Sequence, residues 1–159
     1  MAATNNVTRM LDSQKITYTA FEIPAMKLSA LEVCDHLHVP PEDVFKTIVL
    51  RPEKSGKPIL AVVPATGEVN TKKLAVFLGE KKVSVTTQRD AEKMTGLLSG
   101  GISPLALIKK GFQVVVDESA IERGKILISG GQRELQIQLD VLDLIRLINA
   151  RTACISSQV

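Results

Sequence analysis

Aromatic side chains are scarce in this chain: Phe, Trp and Tyr make up 3% of its 159 residues, and Trp is absent. The core must therefore be built from aliphatic residues, and a protein that stacks single-stranded bases on aromatic platforms is disfavoured. Cysteine is rare too. Cys34 and Cys154 lack the spacing of a metal site and are expected to be reduced thiols, so the sequence predicts neither a metal nor a cofactor.

Long apolar runs and a strong charge of one sign are also lacking. No run approaches the roughly 18 apolar residues that a membrane span needs, and the first residues do not resemble a signal peptide. These absences predict a soluble, cytoplasmic protein with no membrane partner. The net charge of +3 permits a nucleic-acid partner without demanding one. The length suits one domain, spanning 1–159.

Apolar periodicity predicts short helices that alternate with strands. Helices are predicted to begin near Thr4, Ser29, Thr71, Gln88, Ser119 and Asp140. Strands are predicted at 16–23, 44–50, 59–64, 82–86, 113–117, 126–129 and 135–139. The strands at 44–50 and 59–64 should form a hairpin, and the tail beyond Arg151 is expected to fray. This order indicates an α/β or α+β fold with a mixed, curved sheet.

Helical spacing also predicts which side chains of three helices face the core. The predicted inward residues are Leu31, Cys34 and Leu37 or His38, then Leu74, Phe77 and Leu78, then Leu142, Ile145 and Ile148. Ser29 and Glu32 have the spacing of a capping box, which supports a helix start there.

Lys46 lies in an otherwise apolar strand pattern and shares a face with Val44, Ile48 and Leu50. A lysine there is costly unless its ammonium reaches an anion or a cavity, which suggests an anion-binding role. The alternative is a lysine near a strand start whose head reaches solvent.

Two glycine-rich segments could approach a ligand closely. In Gly100-Gly-Ile-Ser-Pro104, paired glycines permit a positive φ, and consecutive N–H groups can hold a phosphate or carbonyl oxygen. The alternative is a plain tight loop. In Ser129-Gly-Gly-Gln-Arg133, a turn between strands is favoured, and Arg133 either meets an RNA phosphate or lies in water.

Familiar catalytic patterns are absent: there is no HExxH, CxxC, GxSxG, GxGxxG or P-loop. His36 and His38 are two residues apart on a predicted helix and point to different faces, so a metal pair is disfavoured. Cys34 has no neighbour that would activate its thiol and is interpreted as a packing residue. An enzyme built on this sequence must work without an obvious nucleophile or metal.

Lys46 and the two glycine-rich segments, in this order and at these separations, resemble the YbaK/ProX family of aminoacyl-tRNA deacylases, related to the editing insertion of bacterial prolyl-tRNA synthetases. The resemblance covers nearly the whole chain. It implies a mixed, barrel-like sheet surrounded by helices. It also implies aminoacyl-tRNA, through the 3′ end of tRNA(Pro), as a partner, and a bound prolyl-tRNA synthetase could select the tRNA.

The resemblance assigns roles to individual residues. Lys46 would hold the phosphate of the tRNA 3′ end, and N–H groups of the Gly100–Pro104 loop would hold the aminoacyl carbonyl. Lys46, Gly100 and Gly101 are therefore the candidate catalytic residues. The candidate substrate-binding residues are Phe45, Ile102, Ser103, Pro104, Ser129, Gly130, Gly131, Arg133 and Gln136. Preorganised N–H donors suit ester hydrolysis, because its transition state carries an oxyanion.

The chain looks most like the YbaK branch, which acts on Cys-tRNA(Pro). In that branch the resemblance implies that the thiol of the substrate cysteine attacks its own ester carbonyl and leaves as a cyclic thiolactone. Two alternatives stay open: a deacylase for Ala-tRNA(Pro) or another small residue, and a non-catalytic module that binds the tRNA 3′ end or a synthetase. The chain departs from the family pattern at Leu97, Glu134 and Gln136, where relatives often carry Tyr, Gly and Asp.

Overall fold

The computed structural model describes residues 4–54 and 56–158, and within these the chain forms six α-helices and ten strands. The helices are α1 (Asn6–Ser13), α2 (Ala30–Leu37), α3 (Thr71–Leu78), α4 (Gln88–Thr95), α5 (Ser119–Arg123) and α6 (Val141–Ile148). The strands are β1 (Tyr18–Glu22), β2 (Phe45–Pro52), β3 (Ile59–Pro64), β4 (Gly67–Val69), β5 (Val83–Val85), β6 (Gln113–Asp117), β7 (Lys125–Ser129), β8 (Leu135–Asp140), β9 (Arg151–Ala153) and β10 (Ser156–Gln158).

Side-chain caps fix where the helices begin. The predicted capping box at the start of α2 is confirmed: Ser29 Oγ accepts from the N–H of Glu32, and the Glu32 carboxylate accepts from the N–H of Ser29. Asp140 caps α6, as predicted. Helix α1 is capped by Asn5 and not by Thr4, because the Asn5 side chain and Thr8 form a second capping box.

The strands form three sheets. The largest has the order β5-β2-β3-β6-β9 and is mixed, since β3–β6 and β6–β9 are parallel while the other pairs are antiparallel. A second sheet, β1-β8-β7, is antiparallel, and β4 pairs with β10 alone. The predicted β2–β3 hairpin is confirmed. The mixed α/β fold is confirmed as well, but the described strands do not close into a barrel; a parallel bridge between Val44 and Leu127 joins the two larger sheets.

Strand β3 lies at the centre of the molecule, and all six of its residues are buried. Its residues alternate between the two faces of the sheet. Val62 packs with residues of β7 and β8 on one face, whereas Ala61 and Val63 pack beneath α3 on the other. The large sheet is therefore covered on one side by the small antiparallel sheet and on the other by α3 and the C-terminal segment.

Three of the predicted inward residues are wrong. Leu31, Phe77 and Leu142 are 52%, 37% and 67% exposed. The inner faces are taken by other residues of the same helices, chiefly Val33 with Cys34, Leu74 with Ala75, and Val141 with Leu144. Each of these helices has eight residues, so a small rotation changes which side chains reach the core.

The predicted fraying beyond Arg151 is also wrong. This segment forms β9 and β10, and Ile155 between them is fully buried. The carboxylate of Asp117, at the end of β6, accepts a hydrogen bond from the N–H of Ile155 at 2.9 Å. This contact across the fold holds a segment whose own sequence is mostly polar.

None of the helices in residues 4–54 and 56–158 has both the length and the apolar character that crossing a membrane requires.

Candidate functional site

A pocket of about 150 Å³ opens where the start of β2, the loop after α4 and the β7–β8 hairpin meet. Six of the predicted site residues line it: Phe45, Lys46, Gly100, Ile102, Ser129 and Gln136. The other six do not line it: Gly101, Ser103, Pro104, Gly130, Gly131 and Arg133. The structure thus brings together residues from three separate parts of the sequence.

The ammonium group of Lys46 forms an ion pair with a carboxylate of the protein. Its Nζ atom lies 3.0 Å from Oε1 of Glu68 in β4. Its face of β2 is the predicted one, since Ile48 and Leu50 belong to the cluster beneath α3. The Lys46 side chain is 24% exposed and that of Glu68 is 63% exposed, so the pair lies at the protein surface beside the pocket.

Phe45 and Thr47 lie on the opposite face of β2 from Lys46. Phe45 is buried in the core, whereas Thr47 is half-buried in the pocket wall. The Thr47 hydroxyl oxygen is inaccessible to solvent and has no hydrogen-bond partner among the described residues. An unpaired buried hydroxyl destabilises a fold, so a threonine at position 47 costs stability.

The Gly100–Pro104 loop begins with Gly100, whose φ of +91° lies in the region that favours glycine. The N–H of Gly101 already has a partner within the protein, because it donates to the Leu98 carbonyl at 2.8 Å. In the described part of the chain, the N–H groups of Gly100 and Ile102 have no such partner. These two residues also line the pocket, so their N–H groups are candidate donors to a ligand.

Gly101 is where the two glycine-rich segments touch. A Cβ atom added there would lie 3.0 Å from Cα of Gln132 and 3.2 Å from the backbone nitrogen of Arg133. A contact of 3.0 Å with backbone atoms is too tight for an ordinary side chain. The absence of a side chain at Gly101 therefore lets the second segment pack directly on the first.

The second segment closes the β7–β8 hairpin, which confirms the favoured interpretation as a turn between strands. Gly130 N–H donates to the Leu135 carbonyl, and Gly131 has a φ of +97°. The Asn5 side chain donates to the Gly130 carbonyl at 2.8 Å and so ties the turn to α1. Gly131 faces away from the pocket, toward a larger groove of about 960 Å³ between α1 and α6.

Arg133 is not free in solvent, and part of its guanidinium group is already bound to the protein. Its Nε atom donates to the Ser99 carbonyl at 2.7 Å, and its side chain passes 3.4 Å from the position of a Cβ atom at Gly100. The residue is half-buried. Arg133 thus joins the hairpin turn to the loop that lines the pocket.

Gln136 supplies a neutral polar group deep in the pocket. It is 4% exposed, pairs with Ser129 across the hairpin and lines the pocket. The other departures are structural: Leu97 packs among apolar residues near Val49, and the Glu134 carboxylate accepts from the Gln132 side chain.

Among the described residues, the pocket lining contains one titratable group, Lys46, and no His, Cys, Asp or Glu. Cys34 is buried behind it, and burial raises the pKa of its thiol, which disfavours the reactive thiolate. His36 and His38 are both exposed, so of the two alternatives Leu37 or His38, Leu37 is the one that is half-buried. Across residues 4–54 and 56–158, no three His, Cys, Asp or Glu side chains form a metal-binding group. The site can bind an anion and a carbonyl, but it offers no nucleophile of its own with an adjacent base.

Sequence reasoning missed Glu68, Thr47 and Ser99. Ser99 lines the pocket, and its N–H donates to the Glu92 carboxylate at 2.7 Å. Nothing in the spacing of these residues indicates the contacts they make, because each contact joins segments that are distant in sequence or depends on local burial.

Comparison with known proteins gives one clear result. Residues 25–147 match the model of a family described as aminoacyl-tRNA editing domain. EbsC of Enterococcus faecalis, named as a candidate Cys-tRNA(Pro)/Cys-tRNA(Cys) deacylase, is 35% identical over 96% of this chain and 93% of its own. The prolyl-tRNA editing protein ProX of Acetoanaerobium sticklandii is 25% identical over 94% of this chain and 93% of its own.

The fold is similar to that of a solved protein described as a candidate trans-editing enzyme for prolyl tRNA synthetase. The TM-score is 0.77, with 18% sequence identity, and the match covers 98% of this chain and 99% of that one.

Proposed function

We propose, from the premise that this chain belongs to the aminoacyl-tRNA editing domain family, that it clears mischarged Cys-tRNA(Pro) by cleaving the aminoacyl ester. One observation carries the proposal. Lys46, Gly100 and Ile102 line one pocket, and its lining, among the described residues, holds no His, Cys, Asp or Glu. Such a site suits a substrate that brings its own nucleophile.

Lys46 is proposed to bind the phosphate of the tRNA 3′ end. It is the cationic group of the lining, and its ammonium lies near the surface, where a nucleic-acid backbone can reach it. The ester carbonyl would then lie against the N–H groups of Gly100 and Ile102. Donors fixed by the fold stabilise the oxyanion of the transition state without reorganising during the reaction.

The substrate thiol is proposed as the nucleophile. Its sulfur loses a proton to water and attacks the ester carbonyl carbon, the bond from that carbon to the ribose oxygen breaks, and the ribose oxygen takes up a proton from water. The products are deacylated tRNA and a cyclic thiolactone. An intramolecular nucleophile has a high effective concentration, which explains how a pocket whose described lining holds no His, Cys, Asp or Glu can promote cleavage.

Gln136 is proposed to contact the amino acid itself, and Thr47 is proposed to join it by a rotation about χ1 that turns its hydroxyl, inaccessible in the free protein, toward the pocket. Gln136 offers an amide in the pocket lining. A polar group of the substrate that pairs with them would gain more than the same contact in water, since both lie in poorly solvated positions. Ser129, paired with Gln136 across the hairpin, would complete this wall.

Prolyl-tRNA synthetase is proposed as the partner that delivers the tRNA. The net charge of +3 provides few phosphate contacts for independent tRNA binding. The names of ProX and of the solved neighbour, which refer to prolyl-tRNA and to prolyl-tRNA synthetase, favour this association. A cytoplasmic location, where translation takes place, stays a prediction.

A panel of mischarged tRNAs tests the proposal. Cys-, Ala-, Ser- and Pro-tRNA(Pro) are incubated with the protein, and the loss of each amino acid is followed. We expect rapid loss of Cys and slow loss of the other three. Equal loss of Ala and Ser would contradict thiol assistance and favour attack by water on small residues. Loss of none, in protein that is folded, would favour a non-catalytic binding module.

A further inference from the structure

The ion pair between Lys46 and Glu68 places a carboxylate on the group proposed to bind phosphate. Oε1 of Glu68 lies 3.0 Å from Nζ of Lys46, at the distance of a charge-assisted hydrogen bond. Among the described residues, Glu68 is the sole acidic partner of Lys46. The ammonium therefore already has an anion when no substrate is bound.

Glu68 is presented by a strand and not by a loose loop. It is the middle residue of β4 and lies opposite Ser157 of β10. The neighbouring Gly67 packs closely on this strand pair, since a Cβ atom there would lie 2.8 Å from the Ser157 carbonyl oxygen. The Glu68 backbone is thus fixed by the C-terminal segment, and its carboxylate stays within reach of Lys46.

We propose that Glu68 is a built-in competitor of the substrate phosphate at Lys46. The proposal rests on the proposed function in one respect, namely that Lys46 binds a phosphate. A carboxylate and a phosphate held on the same ammonium repel each other, so the incoming phosphate displaces Glu68. The Glu68 side chain is 63% exposed, so on release its carboxylate returns to water at little cost.

Because phosphate must displace Glu68 from Lys46, the free energy of phosphate binding is reduced by the free energy of the ion pair. Pairs this exposed change an equilibrium by about two- to fivefold. Substrate and product tRNA carry the same phosphate, so the penalty applies to both and hastens release of the deacylated tRNA. In the free protein, the same contact holds the Lys46 head beside the pocket. Glu68 would act through Lys46 and is a positioning residue.

Binding of adenosine 5′-monophosphate tests this without any editing reaction. Its phosphate corresponds to that of the terminal adenosine of a tRNA, and adenosine serves as the uncharged probe. Affinities are measured by titration calorimetry for the wild type, Glu68→Gln, Lys46→Met and the double variant. Glu53→Gln is the matched control, because Glu53 is an exposed acid just beyond the opposite end of β2.

We expect Glu68→Gln to bind adenosine 5′-monophosphate about two- to fivefold more tightly, with adenosine affinity unchanged and Glu53→Gln like the wild type. In the Lys46→Met background the Glu68→Gln change should have no effect, because the pair is already broken. In the deacylation assay Glu68→Gln should lower KM by a similar factor and leave kcat equal or lower, as slower product release requires.

Two results would overturn the proposal in distinguishable ways. If Lys46→Met weakens nucleotide binding but Glu68→Gln does not strengthen it, Glu68 is no competitor and the role of Lys46 stands. If Lys46→Met leaves nucleotide binding unchanged, the phosphate role of Lys46 fails, and the inference about Glu68 fails with it. Neither result depends on whether Cys-tRNA(Pro) is the substrate.

Discussion

The Nε atom of Arg133 donates a hydrogen bond to the carbonyl of Ser99 at 2.7 Å, across 34 residues of sequence. This contact joins the two glycine-rich segments directly behind the pocket. It fixes the residue before Gly100, and Gly100 offers one of the unpaired N–H groups. Arg133 therefore bears on the reaction through the position of the loop, and its side chain does not line the pocket.

Replacing Arg133 tests this positioning role. Arg133→Met keeps most of the apolar stem and removes the donor to Ser99. We expect kcat/KM for Cys-tRNA(Pro) to fall on the order of tenfold to a hundredfold, because small displacements of catalytic groups are costly. Arg123→Met is the control, since Arg123 forms a surface pair with Asp43. A wild-type rate for the Arg133→Met protein would contradict the role of Arg133 in positioning the loop.

Gly101→Ala should also slow the reaction, for a steric reason. The added Cβ atom would lie 3.0 Å from the Gln132 backbone and push the two segments apart, moving the N–H groups of Gly100 and Ile102. Losing one oxyanion donor lowers rates roughly 10²-fold, and we expect a drop of that order. Gly56→Ala is the control, because a Cβ atom there would lie 3.6 Å from the Pro52 side chain and 3.9 Å from the Lys54 carbonyl oxygen, which are ordinary contact distances. Full activity of Gly101→Ala would indicate that the loop is a plain turn with no role in the reaction.

Lys46→Ala should nearly abolish deacylation and leave the fold intact. The ammonium is proposed to bind the phosphate, and its loss removes that contact. The side chain is 24% exposed, so Lys46→Ala also removes buried methylene contacts, and its folding is checked by denaturant unfolding. Lys46→Arg should also be poor, because a planar guanidinium does not replace a compact charge. Rates are compared with those of Lys125→Ala, an exposed lysine on another strand. A folded Lys46→Ala protein with normal activity would contradict the assignment.

Thr47→Val should make the protein more stable and less active. The hydroxyl is buried without a partner, so its removal should raise the free energy of unfolding by about 1 kcal/mol. If the hydroxyl binds the substrate, as proposed, the same change should slow deacylation, and Thr47→Ser should restore much of the rate. Denaturant unfolding and single-turnover rates measure the two effects. A more stable Thr47→Val protein with an unchanged rate would show that the hydroxyl plays no part in the reaction.

The sequence predicted the frame of the site better than its interior. Ser29, Asp140 and the glycines of residues 129–133 have local signals, since caps and tight turns depend on residues close in the chain. The pairing of β2 with β3 is similarly local. Lys46 stood out because a lysine is unusual in a strand that is otherwise apolar.

The rest depends on contacts between distant segments. Glu68 has no local signal, because its meaning comes from Lys46 on another strand. The strands at the C-terminus escaped prediction because three-residue strands carry little periodicity, and their anchor is the Asp117 carboxylate, 38 residues before Ile155. The outward orientation of Leu31, Phe77 and Leu142 likewise follows from packing that helical spacing does not determine.

The first product of Cys-tRNA(Pro) cleavage tests the central claim most directly. The reaction is quenched at early times and the released species is identified by mass spectrometry, using a Cys34→Ser/Cys154→Ser protein so that the substrate supplies the only thiol. We predict that this protein clears Cys-tRNA(Pro) at close to the wild-type rate and releases the thiolactone before any free cysteine. Free cysteine as the first product, or loss of activity in the folded double variant, would contradict the account.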